Sequence, residues 1–198
     1  MPVYAFENFI PVIKSNSYVH PSAEIIGDVI IEEHCFIGPN AVLRGDFGRV
    51  HVQHHCNVQD TCVLHSFPGK NVILHPYCHI GHGAVLHGCT IEENSLVGMN
   101  SVVMDEAVIG AESIIAATSF VAAKFTCSPR SMVMGTHAKV TRALTEKEVN
   151  WKSSATNEYV KLAQRSLDSL RPVTPLVEVQ PDRPMCNEAS LKFNESKD

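Results

Sequence analysis

The sequence predicts a mainly β protein wound as a parallel β-helix, and three observations carry that expectation. An aliphatic residue recurs every six positions from about residue 19 to residue 124, and a small residue follows it four places on. The aliphatic positions are Val19, Ile25, Ile31, Ile37 and Leu43, then Val52, Val58 and Leu64, then Leu74, Ile80 and Leu86, then Ile91, Val97, Val103, Ile109, Ile115 and Val121. Glycine often comes next, at Gly38, Gly81, Gly98 and Gly110. A period of six suits neither a 3.6-residue helix nor a hairpin sheet; it suits short strands folding around a prism, one hexad to a side.

The rhythm breaks in three places. Three extra residues lie in the stretch from Arg44 to Arg49, four in the stretch from Ser66 to Lys70, and the hexad from Leu86 is one residue short. Extra residues in such coils are expected to bulge outward as loops, where sites are commonly built on a rigid scaffold. Beyond Phe125 the rhythm stops. Thr145 and Glu148 form a T-x-x-E capping box, which predicts a helix over LTEKEVNWK. A second helix is predicted from Thr156 to Leu170, with Val160, Ala163, Leu167 and Leu170 as its apolar stripe. From Arg171 on, four prolines amid charged residues predict an extended, poorly ordered tail. The expected organisation is therefore a β-helix over 1–125, a connector with helices over 126–170, and a tail over 171–198.

Composition narrows the class. The chain has 198 residues, 44% of them hydrophobic, and a formal charge of -5 without a long basic run, so neither nucleic acid nor an anionic membrane surface is favoured as partner. The opening MPVYAFENFIPVIKS has no basic leader, and no apolar run reaches membrane-spanning length, which predicts a cytoplasmic protein. Seven cysteines without a CxxC pair suggest reduced thiols. Cys35, Cys56, Cys62 and Cys78 occupy the small position of the hexad and are expected to act as small core residues.

With three hexads to a coil, those starting at Leu43, Leu64 and Leu86 stack on one side, and their second residues are Arg44, His65 and His87. Neighbouring strands lie about 4.8 Å apart, so His65 and His87 can converge on one metal at about 2.0–2.1 Å. His82 falls on a different side, with Gln59 one coil earlier. The economical way to join the three is a homotrimer in which His82 of one subunit meets His65 and His87 of the next. Three neutral imidazoles leave one position of a zinc ion open, the arrangement that lowers the pKa of bound water to about 7 and yields a hydroxide nucleophile. Another divalent transition metal would fit the same ligands. The competing reading is that, among eleven histidines, any three resemble a site; His54, His55, His75 and His79 are expected to be solvated or hydrogen-bonded. Arg44, Asp46, Gln59 and Asp60 lie in the coils beside the ligands, with Arg44 and Asp46 expected as a structural ion pair more than as chemical groups. Phe47, Phe67 and Met99 lie near the ligand-bearing segments, where apolar side chains either shape an acyl pocket or, more often, pack an interface.

RGD, then NVQD, a histidine six residues after that glutamine, then GHGAVLHG together resemble the γ-class carbonic anhydrase family of hexapeptide-repeat proteins in motif and order. The resemblance implies a left-handed winding, zinc on His65, His82 and His87, Gln59 orienting the metal-bound water, and a cross-subunit salt bridge between Arg44 and Asp46. Where the best-studied branch carries an acidic loop after the first ligand, this chain has Ser66, Phe67, Pro68 and Gly69, so efficient hydration of carbon dioxide is not expected. A closer likeness over about residues 1–180, in MPVY, HPSAEIIGDV, RGDFGRV, LHGC, VGMNSVVMD and WKSSATNEY, is to the branch holding phenylacetate-degradation and carnitine-operon proteins. It implies a metal-dependent thioesterase acting on aryl-CoA esters of phenylacetate degradation. The rival readings are a γ-class carbonic anhydrase, an acyl-CoA-dependent acyltransferase using one histidine as general base, and a trimeric accessory protein without turnover.

Overall fold

The structure is a computed structural model that describes residues 2–185; the remainder of the expected tail, 186–198, lies outside the described residues. The hexads stack as a three-faced parallel β-solenoid. The first face carries Tyr18–Val19, Phe36–Ile37, Asn57–Val58, His79–Ile80, Leu96–Val97, Ile114–Ile115 and Ser131–Met134, each parallel to the next. The second includes Val63–His65, Val85–His87, Val102–Val103 and Phe120–Val121. The third includes Val72–Leu74, Thr90–Ile91 and Val108–Ile109. Two long strands, Glu24–Ile31 and Val42–Val52, run from the second face onto the third.

The aliphatic hexad residues fill the prism: Ile25, Ile37, Leu43, Val58, Leu64, Ile80, Leu86, Val97 and Ile115 are fully buried. Corners need a left-handed backbone, supplied by Asn40, Thr61, Asn94, Asn100 and Thr118 and, where a Cβ would press on Asn100 Oδ1 or Asp105 Oδ1, by Gly83 and Gly88. The small position is more than filler. Ser95 Oγ donates to Gly110 O at 2.9 Å and accepts from Ser113 N at 3.0 Å, stitching consecutive coils. Cys35 and Cys62 take the same place, buried, with each Sγ 3.2 Å from a corner carbonyl. Burial pushes both thiols up, Cys35 to about 12 and Cys62 to about 11, so they are inert core groups.

Register records the three breaks. Ile37 pairs with Val58, twenty-one residues on; Val58 with Ile80, twenty-two on; Ile80 with Val97, seventeen on. The next two steps, Val97 to Ile115 and Ile115 to Val133, return to eighteen. Two expectations are corrected here. The stretch 44–49 is not an outward loop but part of the unbroken strand Val42–Val52, because Gly45 stacks on Gly27 and lets the ladder round the corner with one register shift. The ladder also continues past residue 125, through Ser131–Met134 and its antiparallel partner Lys139–Ala143.

The two expected helices are one, α1 (Glu146–Ser169), because no glycine or proline interrupts it; the hydroxyls of Ser153 and Thr156 return to carbonyls four residues back without breaking it. The capping box is formed: Thr145 accepts from Glu148 N, and the Glu148 carboxylate accepts from Thr145 N. Its buried side differs from the expected stripe. Val149, Lys152, Thr156 and Ala163 face inward, whereas Leu167 and Leu170 are exposed. Tyr159, Leu162 and Ala163 pack on Tyr18 and Phe36, seating α1 over the first face. No helix of the described residues is long and apolar enough to cross a membrane.

Candidate metal centre

Val63–His65 and Val85–His87 pair residue on residue, with His65 opposite His87. Leu64 and Leu86 point into the prism, so alternation along the strand sends both imidazoles outward. Their ring centroids lie 5.3 Å apart at 65°. His87 Nδ1 is 2.8 Å from Asp105 Oδ1, which leaves Nε2 as the free donor atom. His65 Nε2 is 2.9 Å from Asp46 Oδ1, and Arg44 Nη1 donates to Asp46 Oδ2 at 2.6 Å. Burial raises the Asp46 carboxyl, but hydrogen bonds from Arg44 and His65 outweigh it and hold the group below the usual carboxylate range. Arg44 and Asp46 are thus paired within one chain. Phe47 and Phe67, both more than half exposed, lean on the two imidazoles with centroid separations of 5.5 Å to His65 and 5.1 Å to His87.

His82 stands apart, on the turn that leads into Val85–His87, with Nδ1 2.6 Å from Asp60 Oδ2. Within one chain it does not join the pair: among the described residues no group of three His, Cys, Asp or Glu side chains is placed to hold a metal. The donor chemistry nevertheless fits a divalent transition metal. His82 and His87 are each fixed through Nδ1 by a carboxylate and present Nε2, the outer-ligand arrangement that orients metal-bound imidazoles. His65 differs, and either gives up Asp46 or offers Nδ1.

Gln59 is 2% exposed and lies under α1. Its Nε2 donates to Asn57 Oδ1 at 2.9 Å and meets His79 Nε2 at 2.8 Å. His79, expected to be solvated or hydrogen-bonded, is hydrogen-bonded and 9% exposed; burial, with nearby Lys152 and His82, lowers it to about 4. Lys152 donates to Tyr77 O and Asn94 Oδ1, and burial lowers it to about 8. His54 and His55 meet through their Nδ1 atoms at 2.9 Å, and His75 lies 3.7 Å from Glu92. Sequence reasoning missed Asp105 and the Asn57, His79, Thr156 and Lys152 group. Asp105 sits one coil beyond His87, so counting one coil past each candidate ligand for an acidic side chain would have found it.

A three-faced solenoid of hexads with these motifs defines the class, and the chain belongs to the hexapeptide-repeat family. The model of that family described as bacterial transferase hexapeptide (six repeats) matches residues 10–45 and 88–123. Among particular relatives, the carnitine operon protein CaiE of Citrobacter koseri is 50% identical over 184 residues, covering 93% of each chain. The names of these relatives point to a carnitine operon and not to phenylacetate degradation. A Bacillus cereus structure provisionally assigned as an acetyltransferase is 32% identical, with a TM-score of 0.83, covering 84% of this chain and 96% of that one. A hexapeptide transferase family protein from Anaplasma phagocytophilum is 31% identical, with a TM-score of 0.80, covering 83% and 97%.

Proposed function

We propose that the protein is a metal-dependent acyl-CoA thioesterase whose sites are shared between three copies of the chain, each using His65 and His87 of one subunit and His82 of the next. The observation that carries this reading is the outward, in-register pair of His65 and His87, with the likewise carboxylate-backed His82 left alone on its turn. Zinc, or another divalent transition metal, supplies there a water nucleophile active at neutral pH and a Lewis acid for a carbonyl oxygen.

The residues of the chain have the following roles. Asp105 and Asp60 fix the tautomers of His87 and His82. Arg44 keeps Asp46 anionic beside His65. Gln59 accepts a hydrogen bond from the attacking water and so aims its lone pair at the thioester carbon. Phe47 and Phe67 offer an apolar wall to the acyl group and shed water from it. The water oxygen bonds to the acyl carbon, the carbon–sulfur bond breaks, the CoA thiolate leaves without strong acid assistance, and the two protons of the water pass to bulk solvent, leaving a carboxylate product. An aryl acyl group is favoured by the likeness to the phenylacetate-degradation protein PaaY, through RGDFGR and the SFPGK insert.

The test is thiol release from a panel of aryl and short aliphatic CoA thioesters by zinc-loaded protein beside a chelated control. Metal-dependent release supports the reading. Absence of release from trimeric, metal-replete protein overturns it and favours carbon dioxide hydration or an accessory role. A second reading, an acyl-CoA-dependent acyltransferase, is favoured by the likeness to the Bacillus cereus protein; it requires an acceptor other than water and activity indifferent to chelators.

A further inference from the structure

A second polar assembly is buried between the first face and α1. Asn57, Gln59, Lys152 and Thr156 are each at most 2% exposed, and His79 is 9% exposed. Amide nitrogens face both ring nitrogens of His79, and the shorter of the two contacts decides where a neutral imidazole carries its proton. An amide nitrogen can only donate, so the 2.8 Å contact from Gln59 Nε2 makes His79 Nε2 an acceptor and places the ring proton on Nδ1. Nδ1 lies 3.3 Å from Thr156 Oγ1, whose own proton goes to Lys152 O at 3.2 Å, so the hydroxyl accepts from Nδ1–H. Asn57 Oδ1 takes the other Gln59 amide proton at 2.9 Å, while Asn57 Nδ2, 3.2 Å from Nδ1, faces a donor in this tautomer and is the longer contact that yields. Both amide protons of Gln59 are then committed, and its Oε1, without a partner among the described residues, is not closed off from solvent.

We infer that His79 is a positioning residue: held as the Nδ1–H tautomer by Thr156 of α1, it turns the Gln59 amide so that Oε1 rather than Nε2 meets the reacting water. The inference rests on the proposed role of Gln59. With the proton on Nε2 instead, the Gln59 amide must flip, and Asn57 with it, which presents a donor to a water that needs an acceptor. Burial keeps the ring neutral at working pH, as the arrangement requires.

Long-range nitrogen–proton NMR of the histidine rings in the full-length, metal-loaded protein reads the tautomer. A protonated His79 Nδ1 is expected, and a protonated Nε2 would overturn the inference. Thr156→Val removes the acceptor without changing shape and is expected to lower kcat about tenfold, roughly one hydrogen bond's worth. KM and metal content should not move, the lost hydrogen bond should lower the melting temperature only modestly, and Thr156→Ser should retain both turnover and stability. In a Gln59→Ala background the same Thr156→Val change should add nothing, since both act through one amide. An equal further loss there would show that Thr156 acts elsewhere and would overturn the inference. Should the wild-type protein release no thiol, the thioesterase reading falls while the NMR result still decides the tautomer.

Discussion

Each proposed ligand owes its direction to a carboxylate on a neighbouring coil or turn: Asp105 behind His87, Asp60 behind His82, and Asp46 on His65. Removing such a partner characteristically weakens a metal site about 10–100-fold, so Asp105→Asn should lower zinc affinity by that order in competition titrations while the solenoid stays intact. His79 gives a prediction in pH. Its folded value, about 4, lies below the ordinary 6.5, so between those limits the unfolded chain binds a proton that the folded chain refuses. Its effect is absent above pH 6.5, and stability then declines as the pH falls to about 4, by roughly 3 kcal/mol in all. In denaturation at stepped pH, His79→Gln should show a shallower acid slope than the wild type; an unchanged slope would contradict the assignment. Ser66, next to His65, has a fully buried hydroxyl without a partner among the described residues. Ser66→Ala should therefore leave the fold unharmed or stabilise it by about 1 kcal/mol.

Among the elements, strands were far more legible than the helix face. A hexad strand needs one inward aliphatic residue, and every such residue from Ile25 to Val121 is visible as a six-residue beat and fully buried. The start of α1 was equally plain in Thr145 and Glu148, because a capping box is a local device; Thr145→Ala should cost about 1 kcal/mol in chemical denaturation. Its buried side was hidden because two of the inward residues, Lys152 and Thr156, are polar and serve a hydrogen-bond network instead of an apolar core. Hydropathy selects Leu167 and Leu170 for that face, and both are exposed. The RGDFGR stretch was misread for a related reason: a count of extra residues cannot distinguish a loop from a strand carried round a corner by stacked glycines. Glycine after the aliphatic position has a concrete cause at Gly98, where a Cβ would come within 2.4 Å of Ala117 N on the next coil. Gly98→Ala should cost about 3 kcal/mol, read by thermal melting.

At the scale of the molecule, periodicity within the chain fixes the solenoid, whereas the proposed site needs residues from two chains. That division explains what the sequence could convey. The pairing of His65 with His87 follows from coil counting and is found in register; the proposed placing of His82 beside them requires a second copy of the chain, which coil counting suggests only by setting His82 on another face. The hydrogen-bonded setting of Gln59 was equally out of reach, since Thr156 lies 77 residues from His79. The proposed shared site makes a demanding prediction. His82→Ala and His87→Ala proteins, each trimeric, should both be inactive and zinc-poor. Unfolded together and refolded as mixed trimers, they bring intact His65 and His87 of one subunit against intact His82 of another. Thiol release from an aryl-CoA ester and zinc content should then both return to a substantial fraction of the wild-type level. Mixed trimers that remain inactive and empty would contradict a site shared between subunits, and with it the account of how this chain acts.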